Sequence, residues 1–255
     1  MDDWKRNVYF VLVEPKEPGN IGASARAMKN MGFTNLCLVN PPPHMPKEER
    51  WFACNAHDIL KSAKIYNSVK EAVSDKAVVI GTTQRKGMHR GLILPVSEGA
   101  EKIRAITANN KVAILFGTET NGLSKEDVDE CGFMITIPSS KMQPSLNLSH
   151  AVLLIAYELS KHSEETTVSS RGANYKDYNK PVLLEELEAH GEIAPLYDRI
   201  SRILTLLEYA PRGDMDLNAK IITSLKRFLG RAGLTEIELN LLMGLCTQIE
   251  KKLDV

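Results

Sequence analysis

The sequence Ser145-Leu-Asn-Leu-Ser-His-Ala-Val152 opens an amphipathic run that continues to Lys161. Ser145 and Asn147 are residue types that accept hydrogen bonds from the free N–H groups at the start of a helix. Four apolar residues then recur on one helical face: Leu148, Val152, Ile155 and Leu159. Just upstream, residues 133–137 are a continuous apolar run of β-type residues. This part of the chain is therefore predicted to form a buried strand, a polar loop and a long helix.

Two earlier segments have the same build. Gly19-Asn-Ile-Gly-Ala-Ser-Ala-Arg-Ala-Met-Lys-Asn-Met-Gly32 follows an apolar run at 8–13, and Phe116-Gly-Thr-Glu-Thr-Asn-Gly-Leu123 ends another at 112–116. The start of a helix presents free N–H groups and the positive end of the helix dipole, which favour anionic or polar ligand groups. Three such helix starts in one domain predict a composite site for a nucleotide-like molecule.

The strand-like runs are apolar throughout rather than alternating, which is typical of strands covered by helices on both faces. The predicted strands are residues 8–13, 36–39, 77–80, 112–116 and 133–137. The predicted helices between and after them are residues 20–31, 96–108, 124–130 and 147–161. This alternation predicts an α/β fold with a mostly parallel sheet flanked by helices, in a domain that spans residues 1–161.

The chain changes character after this domain. Residues 162–180 are polar and aperiodic, and we interpret them as a linker. Residues 181–255 are then predicted to form a small helical extension, with a capping box at Thr235-Glu-Ile-Glu238. Its last helix carries a seam with spacings of three and four residues: Leu239, Leu242, Cys246, Ile249 and Leu253. The seam requires a partner helix, either in a bundle of this chain alone or across a dimer.

Composition excludes several classes of protein. The 255 residues carry 32 basic and 32 acidic side chains, so bulk charge gives no support for nucleic-acid binding. The apolar run at 151–157 is too short to span a bilayer, and the acidic first residues do not resemble a signal peptide. Four scattered cysteines are expected to be reduced packing residues: Cys37, Cys54, Cys131 and Cys246. We therefore expect a cytoplasmic protein with no membrane segment and no metal site.

The three segments contain candidate site residues. Asn20 is predicted to be the N-cap of the first helix, and Gly22, Arg26, Lys29 and Asn30 are expected to share its outer face. Arg26, about two turns into the helix, could bind a phosphate through its planar guanidinium, or it could be an ordinary surface arginine. No G-x-G-x-x-G or GK[ST] loop follows any strand, which disfavours a Walker site or a nicotinamide-dependent dehydrogenase.

Two basic groups stand out against the neutral background. One is the loop after the predicted strand at 77–80, with Arg85, Lys86 and Arg90, and the other is the helical face of Lys220, Arg227 and Arg231. Both could contact phosphates of a nucleic-acid backbone, which positions the nucleic acid without specifying its sequence. Both could equally be solvated surface.

The order and the amino-acid sequences of the three segments resemble those of the SPOUT superfamily of RNA methyltransferases and, within it, the TrmJ-type ribose 2′-O-methyltransferases. The similarity continues into residues 226–231 and 238–245, so it covers most of the chain. The resemblance implies an α/β domain with a deep trefoil knot toward its carboxyl end, S-adenosylmethionine bound in the knot, and a homodimer.

Positions that match the family motifs imply two sets of site residues. The implied cofactor-binding residues are Thr82, Thr83, Gln84, Gly117, Ile137, Pro144, Ser145 and Leu146. The implied catalytic set is Arg26, as the catalytic arginine, with Asn20, Glu119, Ser145 and Asn147. The chain departs from its relatives at Thr118, where arginine is usual, and at Pro144, where many have a second serine; we interpret both as changes in the fit to RNA.

The resemblance implies methylation of a ribose 2′-hydroxyl in structured RNA, with S-adenosylmethionine as the methyl donor and the tRNA anticodon loop as the expected substrate. Two alternatives stay open: ribosomal RNA as the target, and a non-catalytic module that binds RNA or the cofactor. Because guanidinium groups stay protonated in proteins, we favour a cationic Arg26 that stabilises the forming alkoxide and positions a phosphate.

Overall fold

The computed structural model describes residues 3–43, 53, 55–85, 91–161, 185–209 and 216–253. A short 3-10 helix, Asp3–Asn7, precedes the first strand. The strands are β1 (Val8–Val13), β2 (Asn35–Val39), β3 (Lys64–Tyr66), β4 (Val78–Thr82), β5 (Ile93–Pro95), β6 (Val112–Phe116) and β7 (Phe133–Thr136). The helices are α1 (Pro18–Asn30), α2 (His57–Ser62), α3 (Val69–Val73), α4 (Val96–Thr107), α5 (Lys125–Asp129), α6 (Leu148–Lys161), α7 (His190–Leu206), α8 (Leu217–Ala232) and α9 (Glu236–Lys252).

The seven strands form one sheet in the order β3-β2-β1-β6-β4-β7-β5, and every strand pair is parallel. The predicted mostly parallel sheet is thereby confirmed. β7 lies between β4 and β5, although both of these strands precede it in the chain. Because parallel strands end at the same edge of a sheet, the loops after β4, β6 and β7 come together there.

The two faces of the sheet are covered by different helices. The side chains of Phe10, Leu12, Ile114 and Phe116 belong to a core that includes buried residues of α1, α4 and α6. The Phe10 ring stacks on Phe116 with centroids 5.9 Å apart. The other face packs against buried residues of α3 and α5. Full burial of an aromatic or aliphatic side chain stabilises the fold by roughly 1.5–3 kcal/mol, so these two layers hold the sheet.

The long apolar runs were predicted well and the short edge elements were not. β1 and β6 have the predicted bounds, and the other three predicted strands differ by one or two residues at their ends. The pattern missed β3, β5, α2 and α3. β3 and β5 have three residues each and lie at the two edges of the sheet, where Ile65 is 68% exposed; runs this short do not distinguish a strand from a loop.

The helical extension has a core of its own, formed by α7, α8 and α9. Cys246 is buried in it, and Leu239 and Leu242 pack against it. The part of the predicted seam at Leu239, Leu242 and Cys246 therefore packs within this chain, as in the bundle alternative, whereas Ile249 is 40% exposed. The predicted capping box at Thr235 and Glu238 is confirmed. The predicted linker, residues 162–180, lies outside the described residues.

A buried carboxylate ties the extension to the sheet domain. Glu130, directly after α5, contacts His190 Nε2 at 2.7 Å and accepts a hydrogen bond from Lys226 Nζ at 2.8 Å. Next to it, Asp129 forms an ion pair with Arg227 at 3.0 Å. Burial raises the pKa of Glu130, but the contacts with His190 and Lys226 outweigh it and lower the pKa to about 2.

The Glu130→Gln variant is expected to be less stable than the natural protein at pH 7 by on the order of 2–3 kcal/mol. The pKa of Glu130 in the folded protein lies below that of an unfolded glutamate, so its contribution is complete above about pH 4.5 and disappears as the pH falls toward 2. Denaturant unfolding at pH 7 and thermal unfolding between pH 7 and 2.5 measure this difference.

Glu126→Gln is the matched control, because Glu126 lies on the same short helix and is exposed. It should change the free energy of unfolding at pH 7 by less than about 0.5 kcal/mol. A Glu130→Gln variant whose stability follows the natural protein at every pH would show that the buried carboxylate contributes nothing to the attachment of the extension.

Three further observations bear on the predicted class of protein. None of the described helices combines the length and the apolarity that crossing a lipid bilayer requires. Across the same residues, no three histidine, cysteine or acidic side chains are grouped so that they could hold a metal ion. Cys37, Cys131 and Cys246 are buried and belong to no disulfide, and Cys54 lies outside the described residues.

Candidate active site

A cavity of about 320 Å³ lies where the loops after β4, β6 and β7 meet. All eight residues that the resemblance assigned to the cofactor line it: Thr82, Thr83, Gln84, Gly117, Ile137, Pro144, Ser145 and Leu146. Residues 117–123 form one wall, and residues 82–85 and 144–146 form others. The volume lies within the range of small-molecule sites, which is about 300–1,000 Å³.

The wall at residues 117–123 is a tight backbone loop. Thr118 and Gly122 pair across it, with Gly122 N–H donating to Thr118 O at 2.9 Å and Thr118 N–H donating to Gly122 O at 3.2 Å. Gly122 has a φ of +71°, which L-residues with a side chain rarely adopt. A Cβ at Gly117 would lie 2.0 Å from the carbonyl carbon of Gly122. Only glycine at position 117 allows the loop to fold back against the end of β6.

The other walls are joined by hydrogen bonds. Thr83 N–H donates to Ile135 O at 2.9 Å, which ties the end of β4 to β7. Gln84 Nε2 donates to Ser139 Oγ, and Ser139 Oγ donates to the carbonyl of Pro144 at 2.9 Å. The loop after β4 and the loop after β7 are thus held against each other, and this contact shapes the cavity between them.

Glu119 joins the β6 loop to the start of α1. Its carboxylate accepts hydrogen bonds from the backbone N–H groups of Lys16 at 2.9 Å and Glu17 at 3.2 Å, and from Asn20 Nδ2 at 2.9 Å. The N-cap of α1 is Glu17, whose side chain makes no cap hydrogen bond. Glu119, from another part of the chain, accepts hydrogen bonds from the N–H groups of this N-cap and of the residue before it. The prediction that Asn20 is the N-cap is wrong, because Pro18 can begin a helix two residues earlier.

Asn20 continues this network to the third segment. Its Oδ1 accepts a hydrogen bond from Asn147 Nδ2 at 2.9 Å. Asn147 Oδ1 in turn accepts from the backbone N–H of Ser149 at 2.9 Å, so Asn147 caps α6 as the sequence predicted. The three segments singled out in the sequence therefore meet through Glu119, Asn20 and Asn147.

Glu119 is held as an ionised acceptor. Burial raises its pKa, but the hydrogen bonds from Asn20 and from the backbone of Lys16 and Glu17 outweigh this and leave the pKa below its usual value. A carboxylate of low pKa that already accepts three hydrogen bonds is poorly suited to give or take a proton near neutral pH. Glu119 and Asn20 therefore position the ends of α1 and α6.

Arg26 lies outside the cavity lining, on the exposed side of α1. It follows Pro18 by eight residues, which places it about 12 Å along the helix axis from the start of α1. Within the described residues its guanidinium has no hydrogen bond or ion pair to hold it. Gly22, which was predicted to share the outer face with Arg26, is buried instead, because α1 packs against α6.

Only some side chains of the two predicted basic groups are exposed to solvent. Arg85 is exposed and lines the cavity, whereas Lys86 and Arg90 lie outside the described residues. Lys220 is exposed and Arg231 is half-buried. Arg227 is less accessible than Lys220 on that face, because its side chain is 22% exposed and its charge is paired with Asp129.

Several cavity residues were not assigned from the sequence. Strand ends and the first turns of α6 supply four of them, Phe116, Ile135, Leu148 and Ala151, and the loop after β6 supplies the others: Thr118, Thr120, Asn121, Gly122 and Leu123. The strand-loop-helix pattern that identified Gly117 could have indicated the loop residues. Ser139 carried no sequence signal, because its contacts with Gln84 and Pro144 depend on how two loops meet.

Comparison with known proteins assigns this chain to a family. The model of the SpoU rRNA Methylase family matches residues 7–157. The tRNA (cytidine/uridine/adenosine-2′-O-)-methyltransferase TrmJ of Pseudomonas aeruginosa is 34% identical over 248 residues, which cover 96% of this chain and 94% of that protein. The tRNA (cytidine-2′-O-)-methyltransferase TrmJ of Methanocaldococcus jannaschii is 40% identical over 155 residues, or 60% of this chain and 66% of that protein. The crystal structure of TrmJ from Zymomonas mobilis superposes with a TM-score of 0.76 at 29% identity, covering 95% of this chain and 98% of that one.

Proposed function

This chain belongs to the SpoU rRNA Methylase family, and on that basis we propose that it catalyses S-adenosylmethionine-dependent methylation of a ribose 2′-hydroxyl in tRNA. One observation carries the proposal. The side chains of Glu119, Asn20 and Asn147 join the three family segments at the edge of the cavity. Two relatives, one matched over 96% of this chain and one over 60% of it, are named as tRNA 2′-O-methyltransferases, which favours tRNA over ribosomal RNA.

The cavity suits the methyl donor. Its walls combine apolar side chains, such as Ile137 and Leu146, with hydroxyl and amide groups, such as Thr83 and Gln84. Adenine and the methionine chain require apolar contact along their faces and a few hydrogen-bonding groups at their edges. We assign this role to the eight residues that the resemblance implied, which share the cavity. When bound, S-adenosylmethionine supplies an electrophilic methyl group.

The protein has three tasks in this reaction: to align the ribose, to exclude water and to stabilise the oxygen as its proton leaves. Ser145 lies at the cavity edge, where its hydroxyl can orient the ribose. Arg26 is the cation that stabilises the forming alkoxide and binds the adjacent phosphate through its guanidinium fork. Asn147 and Glu119 hold the starts of α6 and α1 in place for these two residues.

Further RNA contacts would come from cations at the cavity wall and on α8. Arg85 belongs to the cavity wall, so it is our first candidate for a phosphate contact, followed by Lys220 and Arg231. We also propose that the chain acts in the cytoplasm, where such RNA substrates are modified. The division into a catalytic domain, residues 1–161, and a helical extension, residues 181–255, is supported by the separate core of α7–α9.

The family also implies a trefoil knot and a homodimer, and both belong to the proposal. The position of β7 between β4 and β5 supports a knot, since the chain must return between two strands that it has already connected. For the homodimer, α6 offers an outward apolar surface on which Leu154 is 40% exposed and Tyr157 is 50% exposed. A second copy packed on this surface would cover both side chains.

Purified protein, labelled S-adenosylmethionine and separate pools of tRNA and ribosomal RNA test the function. We expect label in the tRNA pool, recovered as 2′-O-methylated nucleosides after digestion, and none in ribosomal RNA. Label found only in ribosomal RNA would overturn the substrate assignment and keep the chemistry. Measurable cofactor binding without transfer to either pool would instead support the non-catalytic module.

A further inference from the structure

The outer face of α9 carries a row of exposed apolar side chains at every fourth position. Ile237 is 80% exposed, Leu241 is 62%, Leu245 is 52% and Ile249 is 40%. The inward side of the same helix belongs to the core of the extension, so these four residues are not needed to hold α9 in place. Side chains spaced by four residues form the ridge along which helices most commonly pack against one another.

The two ends of this row carry side chains of opposite charge. Glu238 and Lys252 lie on the same side of the helix as Leu241 and Leu245, within a sector of about 60° at 3.6 residues per turn. Glu238 Oε2 accepts the hydrogen bonds of the capping box from Thr235, and the side chain is exposed. Lys252 is exposed at the other end, so the face is acidic where α9 begins and basic where it ends.

This face of α9 is complementary to the same face of a second copy that lies antiparallel to it. If two copies of α9 lie antiparallel with the two-fold axis at Leu245, each Leu245 meets its own counterpart and each Leu241 meets the partner's Ile249. The same placement brings Glu238 opposite the partner's Lys252 at both ends. An arrangement in which one surface patch binds itself about a two-fold axis is the commonest interface of homo-oligomers.

We propose that this face of α9, defined by Ile237, Leu241, Leu245 and Ile249 with Glu238 and Lys252, is a self-association surface for a second copy of this chain. The antiparallel helix dipoles add to the attraction. An unrelated partner would explain the apolar row but not its symmetric charges.

The surface is small and the pairing is accordingly reversible. Four apolar side chains per copy bury less than the roughly 800 Å² per partner of a standard interface. The α9 contact is separate in the chain from the α6 surface of the proposed homodimer, and it does not depend on the proposed chemistry. We expect it to strengthen with protein concentration.

Cysteine cross-linking tests the geometry without relying on activity or on the overall oligomeric state. A disulfide forms when two Cα atoms lie about 4–7 Å apart, which the two-fold axis provides only for position 245. Under mild oxidation, Leu245→Cys is expected to yield a covalent dimer of twice the 28.4 kDa chain mass. Ile237→Cys is the control, since it is more exposed but faces the partner's Leu253. The unaltered chain, oxidised in parallel, shows how much covalent dimer its natural cysteines form.

Charge reversal tests the antiparallel direction. Adding Lys252→Glu to Leu245→Cys should lower the cross-linking yield by roughly 3- to 10-fold at limiting protein concentration, because like charges then face each other at both ends. Adding Glu238→Lys as well should restore most of it. Equal cross-linking of Leu245→Cys and Ile237→Cys, or none of Leu245→Cys at any concentration, would refute the proposed pairing.

Discussion

Replacement of Arg26 by alanine is expected to lower the rate of methyl transfer at least about 100-fold and to leave the affinity for S-adenosylmethionine unchanged. Arg26 is exposed on α1 and lies outside the cavity lining, so its removal disturbs neither the fold nor the cofactor walls. The predicted loss comes from the transition state, where the ribose oxygen gains negative charge that a cation must stabilise. Single-turnover transfer to tRNA and equilibrium cofactor binding measure the two quantities separately.

Two further variants sharpen this prediction. Arg26→Lys keeps the charge but loses the planar fork, so a rate near that of the alanine variant would assign the effect to two-point binding of a phosphate. Asn30→Ala, on the exposed side of the same helix, should retain the rate of the natural protein. Full activity of Arg26→Ala would remove Arg26 from the mechanism and shift attention to Ser145 and Arg85, which line the cavity.

Gly117→Ala is expected to abolish measurable binding of S-adenosylmethionine and to destabilise the protein by about 1–3 kcal/mol or more. The new Cβ would lie 2.0 Å from the carbonyl carbon of Gly122 and 2.1 Å from the amide nitrogen of Leu123. Both are backbone atoms that cannot move away as a flexible side chain would. The loop must therefore open, and the wall that it gives the cavity is lost. Calorimetric titration and thermal unfolding test the two effects.

Gly122→Ala in the same loop is the matched control. Its Cβ would meet no atom within 4 Å, so the only cost is the positive φ, roughly 1–2 kcal/mol. We expect this variant to be somewhat less stable and still to bind the cofactor. If both alanine variants bind equally well, the close contact between Gly117 and Gly122 does not shape the site.

The sequence predicted the sheet because burial on both faces leaves a local signature. β1 and β6 are runs of apolar residues with no alternation, and such runs identify central parallel strands regardless of what lies elsewhere in the chain. β3 and β5 could not be found in this way, because short edge strands are partly exposed and their pairing depends on a neighbour already in place.

The candidate site was predicted in its location and only partly in its connections. The strand-loop-helix pattern indicated residues 117, 119, 145 and 147 correctly as parts of one region, since parallel strands end at one edge. It misplaced Asn20 as the N-cap, because the helix begins earlier and its N-cap, Glu17, is held by Glu119, which is 102 residues away along the chain. It also missed the contact between Gln84 and Ser139.

The sequence by itself thus determined the class of fold, the edge of the sheet where the site lies and the family of the chain. Each of these depends on local periodicity or on short sequence motifs. The tertiary structure alone decided that Glu119 holds α1, that Arg227 is paired with Asp129, and that one face of α9 stays exposed. These outcomes depend on which polar and apolar groups meet across long chain separations, and hydrogen bonds and ion pairs between distant residues leave no periodic trace in either partner.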